Sequence, residues 1–223
     1  METPARKKAI LWGATGQALV LEEILRREFD IIALFDREPV RSPIPQVPVF
    51  RGIAGFEEWK SGYSGVWQDI GFVVAIGGDR GQDRLEIHYR LRADGLQPIN
   101  VVHPTAFVAY NAEISEGVQI LANSSVCVGV KLGVSVIINT AATVDHESLI
   151  GDGVHIGPGA KLAGCVEVGN NTFIGTGAVV LPRIKIGANC VVGAGAVVNK
   201  DLPDNVIAFG NPCRIRRANH KNG

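Results

Sequence analysis

The chain predicts two fold classes in series: an α/β unit built on a parallel sheet over residues 1–101, then a stack of short strands turning at equally spaced corners over 102–200, with a tail from 201 to 223. Three observations carry this. First, every sixth residue from Val102 to Val198 is aliphatic, seventeen consecutive positions without an insertion. A helix repeats near 3.6 and a half-buried strand at 2, so a strict period of six asks for short strands separated by regular corners. Second, the residue two before the aliphatic one is small at Ala106, Ala112, Ser124, Ala142, Ser148, Ala160, Thr172, Ala178, Cys190 and Ala196. Third, the first hundred residues lack the repeat and alternate apolar strands with helical patterns, which implies a parallel sheet.

The six-residue period resembles the hexapeptide repeat of the left-handed parallel β-helix, in which three hexads close one triangular coil. At about 4.8 Å per coil the segment stacks about five coils, each pairing its backbone with the next. Glycine follows the aliphatic position at Gly133, Gly151, Gly157, Gly169, Gly175, Gly187 and Gly193, where the expectation is a corner that needs open backbone angles.

In the N-terminal unit, Ala9–Trp12 reads as a strand running into the turn Gly13-Ala14-Thr15-Gly16-Gln17, and Leu19, Val20, Ile24 and Leu25 follow at helical spacing. Ile31–Phe35 reads as a second strand ending at Asp36, after which Pro39, Pro43, Pro45 and Pro48 force an extended connection. Phe72–Ile76 ends at Gly77-Gly78, a helix is expected to about Asp94, and a last strand from Ile99 to Val102 leads into the coils. Glycines at the carboxyl ends of parallel strands mark the edge where such sheets bind ligands.

Twenty-two basic residues balance twenty-two acidic ones, so no global field favours nucleic acid or an anionic membrane. Cys127, Cys165, Cys190 and Cys213 show no CxxC spacing, which suits a reducing, cytoplasmic location. Lys7 and Lys8 precede an apolar run too short for a signal segment or membrane insertion.

The turn Gly13–Gly16 can offer backbone amides to a phosphate at a helix N-terminus, or it can be a plain tight turn. Asp36 stands twenty residues after Gly16, where a dinucleotide fold holds a ribose hydroxyl. About one hundred residues make only part of a two-lobed dinucleotide domain, however, so a mononucleotide group fits better. The sharpest chemical cluster is Val144-Asp145-His146-Glu147, with His155 half a coil further on. Imidazoles beside carboxylates can move protons at neutral pH, and solvated corner histidines are the alternative reading of either alone. A catalytic zinc of the gamma carbonic anhydrase kind needs three converging imidazoles. Only His103, His146 and His155 lie in or beside the coils, so no metal is expected.

A small Rossmann-like domain followed by hexapeptide coils, with NTAATVDHESLIGDGVHIGPGAKLAG between residues 139 and 164, resembles the sugar O-acyltransferase family typified by the bacterial PglD and NeuD proteins. The nearest likeness is to N-acetyltransferases of nucleotide-linked amino sugars, including the perosamine enzymes. The resemblance implies a homotrimer with active sites between subunits, acetyl-CoA as cosubstrate between neighbouring coils, and a nucleotide-linked amino sugar on the N-terminal domain, in bacterial glycan biosynthesis. It puts the catalytic base on His146 and its carboxylate partner on Glu147. The cosubstrate would meet His155, Gly164, Gly177, Gly195, Pro212 and Arg214, and the sugar nucleotide Gly13, Thr15, Gly16, Gln17, Asp36, Arg37 and Gly77. Two departures stand out: Gln17 occupies a position where the family commonly has histidine, and the closing GxPA motif reads Gly210-Asn211-Pro212-Cys213.

The expected chemistry is direct attack of an amine, at C4 of the sugar, on the thioester, and the resemblance implies an oxyanion donor near Gly164. An O-acetyltransferase of a sialic-acid-like sugar and a non-catalytic nucleotide-sugar-binding trimer are the alternatives.

Overall fold

A computed structural model describes residues 6–220. The chain divides into two compact units. One comprises residues up to Ile76 together with Glu86–Val101, and the other comprises Gly77–Leu85 with everything from Val102 onward. The segment 77–85 therefore groups with the coils although it precedes them by some twenty residues in sequence.

The first unit is a five-stranded parallel sheet of β1 (Lys7–Trp12), β2 (Phe29–Asp36), β3 (Val49–Arg51), β4 (Ile70–Val74) and β5 (Gln97–Pro98), in the order β3-β2-β1-β4-β5. Helix α1 spans Gly16–Leu25, α2 spans Gly52–Gly62 and α3 runs Gly81–Ala93. The strand β3 and the helix α2 were not legible as periodic patterns. They are held by an aromatic cluster in which Phe35 packs against Trp12, Phe50, Phe56 and Trp59 at ring separations of 5.3–5.7 Å. Such rings bury large apolar areas with orientational preference, so the cluster specifies which face of α2 meets the sheet.

The strand order reverses between β1 and β4, and ligands bind such sheets at that point, beyond the carboxyl ends. Gly13, at the end of β1, has φ +111°, and a Cβ there would stand 2.3 Å from the Ala75 carbonyl oxygen. Only glycine lets the two strand ends come this close.

The second unit is a left-handed β-helix. Its strands are two residues long, and residue i pairs with residue i+18, as Ser125 with Thr143 and Thr143 with Lys161. Three ladders result. One holds Thr143–Val144 and Lys161–Leu162, the next Leu149–Ile150 and Glu167–Val168, and the third His155–Ile156 and Phe173–Ile174. The fourteen repeat positions from Ile120 to Val198 are at most 3% exposed. Val102, the first repeat position, is 42% exposed, and its strand is the last of its ladder. At the far end, the segment read as a tail contributes strands Val206–Phe209 and Arg214–Ala218 to the third ladder. Leu202, Val206, Ala208 and Cys213 are buried there and close the core.

The glycines after the aliphatic position have ordinary backbone angles, which corrects the expectation of open ones. Their requirement is steric: a Cβ on Gly151 would lie 2.3 Å from Asn170 Oδ1, and one on Gly169 would lie 2.5 Å from the Ala188 nitrogen. Positive φ falls two residues later, once per corner, as at Gly153, Gly159, Gly177 and Gly195. Among the described residues, no helix is long and apolar enough to cross a membrane.

Candidate active site

His146 and Glu147 form the corner between the Thr143 and Leu149 ladders. The corner is anchored on both sides by inward residues, Val144 at 0% and Ile150 at 3% exposure, and by the buried Ser148. The Asp145 carboxylate accepts the His146 backbone N–H at 2.7 Å. The ring nitrogen Nδ1 lies 3.2 Å from Glu147 Oε2. With the carboxylate ionised, Nδ1–H is the donor and the lone pair is left on Nε2. Both side chains remain accessible, 48% for His146 and 72% for Glu147.

The ring rests on the next coil. Gly164 follows His146 by one full turn of eighteen residues, and a Cβ on it would lie 2.2 Å from His146 Nε2 and 2.5 Å from Cε1. Gly164 is not in the positive-φ region, so its glycine requirement comes from the imidazole rather than the backbone. The family resemblance pointed to Gly164 in the sequence; the spacing of eighteen from His146 is a second signal that could have found it.

Glu147 has φ +56°, a region that costs a residue with a side chain roughly 1–2 kcal/mol. The same corner position on this edge is filled by Gly129, Glu147, Cys165 and Arg183. The other two edges carry Gly117, Ser135, Gly153, Asn171 and Asn189, and Asn123, Ala141, Gly159, Gly177 and Gly195. Within the coils, the long charged side chains in left-handed backbone, Glu147 and Arg183, both fall on the edge that bears His146, and strain of this kind concentrates at functional positions. Cys165, one coil after Glu147, gives its N–H to the His146 carbonyl at 2.8 Å, and its Sγ is 4.0 Å from Glu147 Oε2. Sequence reasoning did not single out Cys165.

His155 points outward from the core, as strand alternation requires, yet it is only 5% exposed. The Gly77–Leu85 segment, part of the same unit, covers it. Nδ1 lies 2.8 Å from the Gly78 nitrogen, Nε2 lies 3.0 Å from Asn139 Nδ2, and the ring packs on Phe173 at 5.1 Å. Burial, and secondarily the charge of Arg84, push its pKa down to about 3. A ring neutral throughout the physiological range hydrogen-bonds but does not shuttle protons. The covering segment is fixed by Arg84, fully buried, whose Nε donates to the Ser135 carbonyl at 2.8 Å and whose Nη2 donates to the Gly153 carbonyl. Burial lowers the Arg84 pKa to about 10, partly offset by Asp83, so the guanidinium remains charged at neutral pH.

The other predicted residues are dispersed. Gly177 and Gly195 sit on the edge between the His155 and Thr143 ladders, and a Cβ on either would meet nothing within 4 Å. Pro212 is exposed beside the last coil, and Arg214 is also exposed, its Nη1 donating to the Cys213 carbonyl at 2.8 Å. Within one protomer, the ladder of His155 is the side of the triangle opposite the edge of His146, so the two imidazoles do not share a pocket. A concavity on the Leu149 ladder, lined by Glu113, Leu149, Glu167 and Lys185, contains none of the predicted residues.

In the first unit, Asp36 Oδ2 accepts the Ala14 N–H at 2.9 Å and Oδ1 accepts the Glu38 N–H at 3.0 Å. Its carboxylate therefore braces the glycine turn. Thr15 and Gly16 are exposed at the start of α1, Gln17 is half-buried, and Arg37 lies exposed beside Glu38. Gly77 belongs to the coil unit.

Residues 147–181 and 165–200 match the family model described as bacterial transferase hexapeptide (six repeats). Among solved structures, the chain is similar to perosamine N-acetyltransferase from Caulobacter crescentus, crystallised as a histidine-to-asparagine variant with CoA and GDP-perosamine. The identity is 35% over 96% of this chain and 98% of that one, with a TM-score of 0.85. It is also similar to the acetyltransferase domain of PglB from Neisseria gonorrhoeae FA1090 in complex with acetyl coenzyme A, at 30% identity over 95% and 100% of the two chains and a TM-score of 0.84. WeeI from Acinetobacter baumannii AYE matches at 26% identity over 93% and 99%, with a TM-score of 0.82. With likeness at this level across nearly the whole chain, the protein belongs to the bacterial hexapeptide-repeat transferase family and is an acyltransferase.

Proposed function

We propose that the protein transfers the acetyl group of acetyl-CoA to the amino nitrogen, at C4, of a nucleotide-linked amino sugar, working as a homotrimer in the cytoplasm. The observation that carries this reading is the His146–Glu147 pair, with Nδ1 held by the carboxylate and the ring seated on Gly164. The relatives crystallised with CoA and GDP-perosamine support the substrate class.

In this mechanism the neutral amine attacks the thioester carbonyl carbon, and His146 Nε2 takes the amine proton as the C–N bond forms. Glu147 holds the ring and stabilises the imidazolium; a positioned base of this kind is worth about 10²–10⁴-fold. The tetrahedral oxyanion then collapses, the C–S bond breaks, and the departing thiolate receives a proton. The Gly164 N–H is the proposed oxyanion donor, since its neighbours Ala163 and Cys165 give theirs to Val180 and His146.

Two features support an assembly. Gly177 and Gly195 lie away from the His146 edge of their own protomer, so one ligand touching them and His146 needs a second copy. Exposed apolar side chains also surround that edge: Phe107, Tyr110, Val128, Leu149 and Leu181, with Tyr110 at 96% exposure. Such clusters mark contact surfaces. In the α/β unit, the Gly13–Gly16 turn at the strand-order reversal is the proposed seat of the nucleotide, with Thr15, Gln17, Asp36 and Arg37 around it.

The test is chromatographic quantification of acetylated product from acetyl-CoA and GDP-, UDP- and dTDP-linked 4-amino sugars. An amide that survives alkaline hydroxylamine is expected from at least one acceptor. An ester product would move the assignment to the hydroxyl-acceptor class, and ligand binding without CoA release would make the protein a non-catalytic binder.

A further inference from the structure

We propose that Cys165, His146 and Glu147 form a thiolate–imidazole–carboxylate site for a divalent cation of the zinc class, and that filling it switches the transferase off. One ligand atom from each of the three residues lies within 4.8 Å of the others. In a tetrahedral site with bonds of about 2.0–2.3 Å, ligand atoms stand roughly 3.3–3.8 Å apart, so small rotations of these accessible side chains close the gap. Sulfur, nitrogen and carboxylate oxygen are the donor types zinc takes, with a fourth position left to water.

Backbone conformation gives an independent reason to look here. Glu147 and Cys165 sit one coil apart at left-handed corners, φ +56° and +60°, positions that glycine or asparagine fills more easily. Stacking in register brings Cys165 Sγ to 4.0 Å from Glu147 Oε2, itself 3.2 Å from His146 Nδ1. Asp145, adjacent in sequence and bound to the His146 N–H, adds negative charge beside the cation.

The consequence for the reaction follows from the imidazole tautomer and rests on the proposed role of His146 as base. A cation bound through Nδ1 displaces the proton there to Nε2, while the cysteine thiol releases its proton to solvent and binds as thiolate. The ring stays neutral, but Nε2 now carries hydrogen and cannot accept the amine proton. The metal acts as an inhibitor, not as a cofactor of the transfer.

The experiment uses the full-length protein without reductant. Co²⁺ is titrated and followed by absorption, then Zn²⁺ is titrated in a turnover assay that measures acetylated product by chromatography rather than by a thiol reagent. Expected are a thiolate-to-cobalt charge-transfer band that disappears in Cys165→Asn, and Zn²⁺ inhibition reversed by EDTA. Cys165→Asn, compatible with left-handed backbone, keeps its metal-free turnover and needs at least tenfold more Zn²⁺ for half-inhibition; Cys165→Ala serves as a second variant. No charge-transfer band, or equal inhibition of wild type and both variants, overturns the proposal. The cobalt spectrum does not depend on turnover. A band that depends on Cys165, with activity untouched by Zn²⁺ and retained in His146→Ala, would overturn the switch together with the base assignment and leave the metal site standing.

Discussion

Replacing Gly164 with alanine separates the chemistry of the His146 corner from its folding. The new Cβ would lie 2.2 Å from His146 Nε2, whereas ordinary contact begins near 3.4 Å, so the ring must retreat by about 1.2 Å. A misplacement of roughly 1 Å costs on the order of 10²-fold in rate. The ring is half-exposed and can swing toward solvent, and Gly164 has a backbone conformation alanine tolerates. Stability should therefore hold or rise by about 0.4–1 kcal/mol. Gly159→Ala is the counterpart: φ is +66° with nothing within 4 Å of the added carbon, so it should lose about 1 kcal/mol and keep its rate. Steady-state kinetics beside thermal melts of both variants give the readout. Gly164→Ala retaining kcat within threefold, with an unchanged melt, would refute the seating of the imidazole on that glycine.

Three further outcomes follow from the same geometry. Glu147→Gly should raise Tm by about 2–4 °C by relieving left-handed strain of about 1 kcal/mol, while kcat falls on the order of 10²-fold as the ring loses its carboxylate; a parallel loss of both would contradict it. For His155 the folded pKa is depressed from 6.5 to about 3, so the unfolded chain binds a proton first as pH falls. The stability owed to the neutral ring is complete above about 6.5 and is lost progressively down to about 3, up to roughly 5 kcal/mol. Denaturant melts of His155→Gln should show a flatter pH dependence in that window, and an unchanged slope would count against the buried neutral ring. Arg84→Met, which leaves the Ser135 and Gly153 carbonyls without their charged donor, should destabilise the coil unit by about 3 kcal/mol; a Tm shift under 2 °C would show that those bonds contribute little.

The coils were legible because their hydrophobic period is unlike that of any other element, and because adding eighteen to a residue number finds its neighbour one turn on. What composition hid was the role of each glycine. Gly151 and Gly169 make room for the next coil, Gly153 and Gly177 take positive φ, and Gly164 makes room for a side chain, and all look alike in sequence. The strand-glycine-helix start of the α/β unit was visible in its pattern, whereas α2 depends on aromatic partners scattered from Trp12 to Trp67. His155 was correctly oriented by alternation, but its burial depends on Arg84, a charged residue some fifty positions before the carbonyl of Ser135 that it binds. No local pattern marks an arginine as the clamp of a distant turn. Cys165 carries no local signal, because it stands eighteen residues after Glu147 and meets the Asp145-His146-Glu147 run only through the edge they share.

The central claim is that His146 Nε2 removes the acceptor proton. The most direct measurement is kcat for His146→Ala across pH, with acetyl-CoA and the best nucleotide-linked amino sugar both saturating and the melt matched to wild type. The account predicts a fall of about 10²–10⁴-fold and loss of the rising limb of the pH profile. More than about a tenth of kcat remaining, with that limb intact, would contradict it.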